Sequence, residues 1–445
     1  MAQEQTLSIP LGERIRRATQ DYYLVYLMVL AVAGWTLSSY DFNLLVNAFP
    51  NIAADMHLSA TLVGLLGFVI YASMFVITLF VGYGMDTYGR KFMWQWCLVG
   101  TAVFTGLTFF VQNFVELAIT RCIASGFGIA ELSIAVTLVN EQVPARVRGF
   151  LYSVVQGGWP LGVFLSSFVY LNVIRFGWRT VFAFGLIPIV AVIVGRIFIR
   201  ESPRWQHLTE VKQALRKGNQ ELVDQLLKRY EVDVEEAQKV TVRQIFATPG
   251  YVRRQLTLLT VVWLAYASSW VATNVYITYW LVSYRGWSAT EASTLLLVSS
   301  GIGYFFYLFG GLLGEFFGRR EVLIVTGALT APLNLLFLFV HGSGWPVWLL
   351  YFFIYQATNG TWSGAGYAYW AESFPTRCRG TAVGFLGAMF ALGLIIGTGI
   401  WTLLIGPFGP VTTWVVVAVV LAVGQYLTLL LRRIPPHREL EAIVV

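Results

Sequence analysis

Apolar runs of about 18 or more residues recur from one end of the chain to the other, each long enough to cross a hydrocarbon core of ~30 Å as a helix. Twelve are predicted, over residues 22–50, 59–84, 91–112, 114–140, 149–173, 178–200, 256–284, 290–314, 321–341, 346–372, 379–405 and 410–431. Polar residues are confined to short connections, with one exception. Glu201 to Arg254 is long and charged, and within it TEVKQALRKGNQELVDQLLKRYEVDVEEAQKV places apolar residues at helical spacing. That stretch reads as short amphipathic helices joining two groups of six spans. The expected organisation is a first six-helix bundle over 1–200, a linker over 201–255, a second bundle over 256–433 and a tail over 434–445.

Composition fixes what the runs are. Only 12% of the residues are charged and 57% are hydrophobic, against about 25% charged in an ordinary soluble domain. The chain is therefore expected to be an all-α, polytopic membrane protein. Its start lacks a short apolar segment with a small-residue cleavage site, so no cleaved signal peptide is expected. Cys97, Cys122 and Cys378 lie in or beside spans without metal-like spacing, and His57, His207, His341 and His437 are scattered through loops and tails. No metal, cofactor or enzyme chemistry is expected from them.

Charge sets the orientation. Of the 30 lysines and arginines, all but Arg121, Arg175, Arg179, Arg196 and Arg285 fall in the connections, span ends and tails on the N-terminal side of the membrane. Such a bias predicts both termini in the cytoplasm. It also assigns the net charge of +7 to loops near anionic lipid rather than to a nucleic-acid surface.

Two charged phrases are each written twice. GYGMDTYGRK (Gly82 to Lys91) follows the second span and GLLGEFFGRR (Gly311 to Arg320) follows the eighth, 229 residues on. EQVPARVRG (Glu141 to Gly149) and ESFPTRCRG (Glu372 to Gly380) repeat at an offset of 231. Two motifs at nearly one offset indicate duplication of a six-span unit, the architecture of alternating-access transporters with a site near the midplane. Gly82 and Gly311 are expected to let helices approach closely, and Gly89 and Gly318 to permit tight turns. Asp86 with Arg90, and Glu315 with Arg319, stand at the membrane edge, where charge pairs can clasp helices in one state and release them in another. Glu141 with Arg148, and Glu372 with Arg379, are the further partners expected in each half.

In this order the phrases resemble the signatures of the major facilitator superfamily, as do RCIASGFGIA (Arg121 to Ala130) and ESPRW (Glu201 to Trp205). SYDFNLL (Ser39 to Leu45), with a glutamate ten residues after Arg121, resembles the metabolite:proton symporters and the sialate and lactate symporters. The resemblance implies twelve transmembrane helices in two pseudo-symmetric six-helix bundles, needing no cofactor and working as a monomer, in a bacterial cytoplasmic (inner) membrane. Gln156 and Asn274 match sugar-binding positions of sugar porters, but Ser268 and Ser269 replace the glutamine pair that precedes that asparagine. The departure argues against a hexose.

Asp41, Arg121 and Glu131 lie inside spans, where a charge costs at least about 2.5–3.5 kcal/mol and is a functional candidate by default. The second half has no ionisable residue at mid-depth. Proton coupling is therefore assigned to Asp41, Arg121 and Glu131, with Arg121 also facing substrate. Aromatic and amide residues complete the candidate substrate site: Gln156, Trp270, Asn274, Tyr367 and Trp370. Gly157, Gly158, Gly162, Gly393 and Gly397 are read as helix contacts rather than ligand contacts. The expected activity is proton-coupled symport of a small organic acid by alternating access; the alternative is a facilitator or proton symporter for a sugar or polyol.

Overall fold

The computed structural model describes residues 22–142, 154–184, 199–201, 250–342, 344–374 and 376–434, with isolated positions at 186 and between 206 and 246. All regular structure among them is helical. Among the described residues eight helices are long and apolar enough to cross a membrane, and the last, Ala382–Leu430, is long enough for two crossings. It turns at Gly409 (φ 75°) between Pro407 and Pro410, where the missing proline N–H groups and the left-handed glycine end one span and start the next. The fourth span, Phe114–Gln142, and the tenth, from Trp345 to Glu372 through a π-helical stretch at Phe353–Gly360, are also helical. The sixth starts at Trp178, and most of it and of the linker lie outside the described residues.

The duplication is visible in the backbone. The second span (Ala60–Tyr88) passes to the third (Arg90–Leu107) through Gly89 at φ 100°, and the eighth (Ala289–Gly301 and Gly303–Phe317) passes to the ninth (Arg319–Phe339) through Gly318, also at φ 100°. One left-handed residue reverses the chain between antiparallel helices, and glycine adopts that conformation without a Cβ penalty.

Glycine also sets two matching helix pairs. A Cβ on Gly158 or Gly162 of the fifth span (Gly158–Val173) would stand 2.9 Å from the Val32 carbonyl or 2.3 Å from the Thr36 carbonyl of the first span (Tyr22–Asp55). In the second half, Gly393 and Gly397 meet the Leu264 and Ser268 carbonyls at 2.9 and 2.4 Å. These glycines are helix contacts, as their spacing implied.

The buried core is divided unevenly. Near the repeated motifs each half has its own core: Leu27, Trp35, Trp94 and Ile134 in the first, and Leu259, Trp263, Trp362 and Phe374 in the second. Toward the other end the two merge into one, which includes Phe49, Leu66, Tyr276 and Trp401. The halves are joined there by Tyr276, whose hydroxyl donates to the Gly64 carbonyl at 2.9 Å, and by Thr278, whose hydroxyl donates to the Val46 carbonyl. The Tyr276 ring stacks on Trp401 at 4.6 Å and on Phe49 at 6.3 Å. The membrane end opposite the motifs is closed.

Candidate substrate and proton site

Three helices of the first half enclose the buried charges. Asp41 on the first span and Arg121 on the fourth form an ion pair at 2.7 Å, 1% and 0% exposed. A second guanidinium nitrogen donates to the other carboxylate oxygen at 3.3 Å, and the Arg121 Nη2 also donates to the Asp41 carbonyl at 3.2 Å. Thr105, on the third span, donates its hydroxyl to the same carboxylate. The Phe182 ring lies 5.1 Å from the guanidinium carbon. Among the described residues the buried Arg121 Nε–H has no hydrogen-bond acceptor, so this cation keeps a donor in reserve.

Glu131 is equally buried, at 1% exposure. Ser38 donates to one of its oxygens at 2.9 Å and the Trp94 indole N–H donates to the other at 3.1 Å. The first and third spans thus each touch both carboxylates: Ser38 precedes Asp41 by about one helical turn, and Trp94 and Thr105 share the third span. Glu131 lies against the same first and third spans that flank Asp41. No equivalent exists among the described residues of the second half. Tyr351 stands 230 residues after Arg121, and its hydroxyl donates to the Thr273 carbonyl at 2.9 Å.

The amide and aromatic candidates fall into two groups. Gln156, 3% exposed, is on the fifth span. The seventh span breaks between Tyr251–Asn274 and Ile277–Arg285, and Asn274 sits at that break, donating to the Trp270 carbonyl at 3.2 Å and to Thr273 at 3.0 Å. Trp270, one turn earlier, meets Trp159 of the fifth span with ring centroids 5.7 Å apart. This is a direct contact between the halves. Tyr367 and Trp370 instead pack on Trp263, at 4.9 and 4.4 Å, inside the core of the second bundle. Trp270 packs against the same core, so it borders both groups.

Of the latch residues, Arg319 joins two acids. It meets Glu315 at 2.6 Å and grips Glu372 with two nitrogens, both at 2.7 Å. That clasp ties the eighth, ninth and tenth spans of one bundle. Gly310, Gly311 and Gly364 bring two of these together: a Cβ on Gly364 would stand 3.0 Å from the Gly311 nitrogen. The expectation for Gly82 is corrected, because among the described residues nothing lies within 4 Å of a Cβ placed there. Arg90 donates from its side chain to the Met85 carbonyl at 3.0 Å. Arg148 and the side chains of Asp86, Glu141 and Arg379 lie outside the described residues.

Glu201, quoted above only as part of a phrase, has a definite place. Its two oxygens accept the backbone N–H groups of Arg90 and Lys91, each at 3.0 Å. A carboxylate there satisfies donors that the start of the third span leaves open and lies at the positive end of its dipole. An acid immediately after a span, beside a repeated glycine turn, was the available signal. Ser38, Trp94 and Thr105 carried none, since hydroxyls and indoles inside spans usually serve packing or backbone contacts.

Two matched bundles closed at one end, with buried charges in the first and aromatic rings between them, define a membrane transporter of the major facilitator type, with twelve spans in two pseudo-symmetric halves. The chain belongs to the family described as Sugar (and other) transporter, whose pattern matches residues 17–432. It is 26% identical over 380 residues to a niacin transporter of Acinetobacter baylyi, covering 81% of this chain and 82% of that one. It is 25% identical over 378 residues to a cis,cis-muconate transport protein of the same organism, covering 84% and 85%. Its fold matches the crystal structure of a D-xylose-proton symporter with a TM-score of 0.67 at 19% identity, covering 94% of this chain and 99% of that one.

Proposed function

We propose that this transporter carries a small organic acid together with protons, by alternating access, in a bacterial inner membrane with both termini in the cytoplasm. The observation that supports it most is the burial of Asp41, Arg121 and Glu131, which are 1%, 0% and 1% exposed. A substrate carboxylate entering beside Arg121 takes its unused Nε–H and competes with Asp41 for the cation. Asp41, losing its partner in an apolar site, is stabilised by a proton, because an unpaired buried charge is costly. Glu131, held by Ser38 and Trp94, relays that same proton, so that one proton crosses with each substrate. Release at the other face restores the Asp41–Arg121 pair and frees the proton. Niacin and cis,cis-muconate, named for two relatives, are both carboxylates, which favours an acid as cargo. With the closed end facing outward, as the cation bias assigns it, the cytoplasmic end is the one that parts to release substrate.

The test is uptake by the purified protein in liposomes, with membrane potential and pH gradient imposed separately. A monocarboxylate moving with one proton carries no net charge, so a pH step should drive it and potential alone should not. One pH unit supplies ~1.4 kcal/mol, about tenfold accumulation. A neutral sugar moving with one proton responds to potential, at ~2.3 kcal/mol per 100 mV. Potential-driven uptake of a neutral sugar or polyol would replace the organic-acid reading with its alternative.

A further inference from the structure

We infer that Trp35, Phe42, Trp159 and Trp270 form a slot for the flat, conjugated body of the substrate, so that the acid carried is planar and unsaturated rather than a saturated one. This rests on the organic-acid reading and narrows it.

The four rings come from three helices of both halves. Trp159 of the fifth span is the hub, 5.1 Å from Trp35, 6.2 Å from Phe42 and 5.7 Å from Trp270. Trp35 and Phe42 are buried, at 5% and 4% exposure, whereas Trp159 and Trp270 keep partial exposure. The wall is rigid on one side and accessible where the halves meet. Ser39 fixes it by donating to the Trp159 carbonyl at 2.7 Å.

The slot has a donor with nothing to serve. The Trp35 indole N–H is buried and closes no hydrogen bond among the described residues, whereas the Trp159 indole has the Tyr355 hydroxyl as a side-chain partner. A buried donor left unmade is unfavourable and is satisfied by an acceptor that arrives with a ligand. A carboxylate supplies acceptors only. A sugar brings several hydroxyls that each need partners, and the four rings themselves supply none of the acceptors.

Geometry favours a flat body. The Trp159 and Trp270 rings now touch, and a ring stacked between two others at carbon–carbon contacts of about 3.5–4 Å needs about 7–8 Å from face to face. A parting of the bundles by about 2 Å makes that space. A planar conjugated solute then replaces each ring contact it breaks with another, while a puckered one of equal size does not.

The slot is also placed to read the proton. Trp35, Ser39 and Phe42 share one face of the first span, while Ser38 and Asp41 lie roughly 100° around it. Movement of Trp159 away from Trp270 therefore acts on the helix that carries Asp41.

Calorimetric titration of the purified full chain with matched pairs tests this: benzoate against cyclohexanecarboxylate, and cis,cis-muconate against adipate. The planar member of a binding pair should bind about two- to tenfold tighter for each ring it stacks on. Trp159→Leu should erase the difference, and Trp159→Phe should retain most of it. Equal affinities within both pairs in the wild-type protein would overturn the slot and leave the organic-acid reading standing. If no acid binds and D-xylose does, both readings fall. The wild-type comparison decides even if the leucine variant does not fold.

Discussion

Ser38 donates its hydroxyl to Glu131 across 2.9 Å, and the same hydroxyl lies 3.1 Å from the Gly34 carbonyl of its own helix. The seryl group therefore has two acceptors for one hydrogen. This sets an expectation for Glu131→Gln, which mimics the protonated acid. The glutamine oxygen accepts from Trp94, its amide donates to Ser38, and Ser38 turns its hydrogen to Gly34. The site should stay packed and satisfied. Substrate binding and counterflow exchange are expected to survive, and accumulation driven by external acid to disappear. If the variant still accumulates substrate in response to a pH step, the proton rides on Asp41 alone.

The Asp41–Arg121 pair makes a second prediction, about stability. Removing one member of a buried pair leaves the other unpaired and costs about 3–5 kcal/mol. Asp41→Asn and Arg121→Ala should each lower the thermal-denaturation midpoint of the purified protein. The double variant Asp41→Asn with Arg121→Gln removes both charges and should recover much of the loss. Transport should not recover with it. A double variant as unstable as the singles would mean that shape, and not charge, sets the cost.

In the second-half latch the two acids are unequal. Glu372 receives two nitrogens of Arg319 and is 23% exposed, whereas Glu315 receives one and is 38% exposed. An exposed pair spaced i, i+4 is worth only about 0.3–0.5 kcal/mol. Glu372→Gln should therefore slow transport several-fold more than Glu315→Gln, with substrate affinity little changed in either. Equal rates in both variants would reduce the triad to an anchor.

What the sequence disclosed depended on how costly each residue is in hydrocarbon. Asp41, Arg121 and Glu131 stood out because a charge needs a reason to be inside a span; the structure pairs the first two and sets Glu131 against the same first and third spans. The repeat stood out because acids, glycines and arginines recurred in fixed order. Trp35 and Trp159 did not, because this chain has 16 tryptophans and most indoles in membranes have ordinary fates. Which aromatics meet across the bundle interface is a property of tertiary packing. Tyr367 and Trp370 show the converse, aromatic residues at suggestive spacing that pack into the interior of one bundle. The break in the seventh span was hidden too, since no proline or glycine marks it.

The glycines of the repeated motif give the last prediction. Gly89 and Gly318 both lie at φ 100°, where an L side chain is strained at an expected cost of about 1–3 kcal/mol. At Gly318 a Cβ would also meet a Glu321 carboxylate oxygen, the end of a flexible side chain that can swing aside, so backbone strain sets the cost. Gly82 differs: it is helical, and no described atom lies within 4 Å of a Cβ placed there. Alanine is the better helix former at such a position by about 1 kcal/mol. Gly89→Ala and Gly318→Ala should both lower the denaturation midpoint, while Gly82→Ala should leave it unchanged or raise it. The three midpoints, measured in one detergent, separate the turn glycines from the helical one. A loss at Gly82 matching that at Gly89 would restore the close helix approach that the motif first implied.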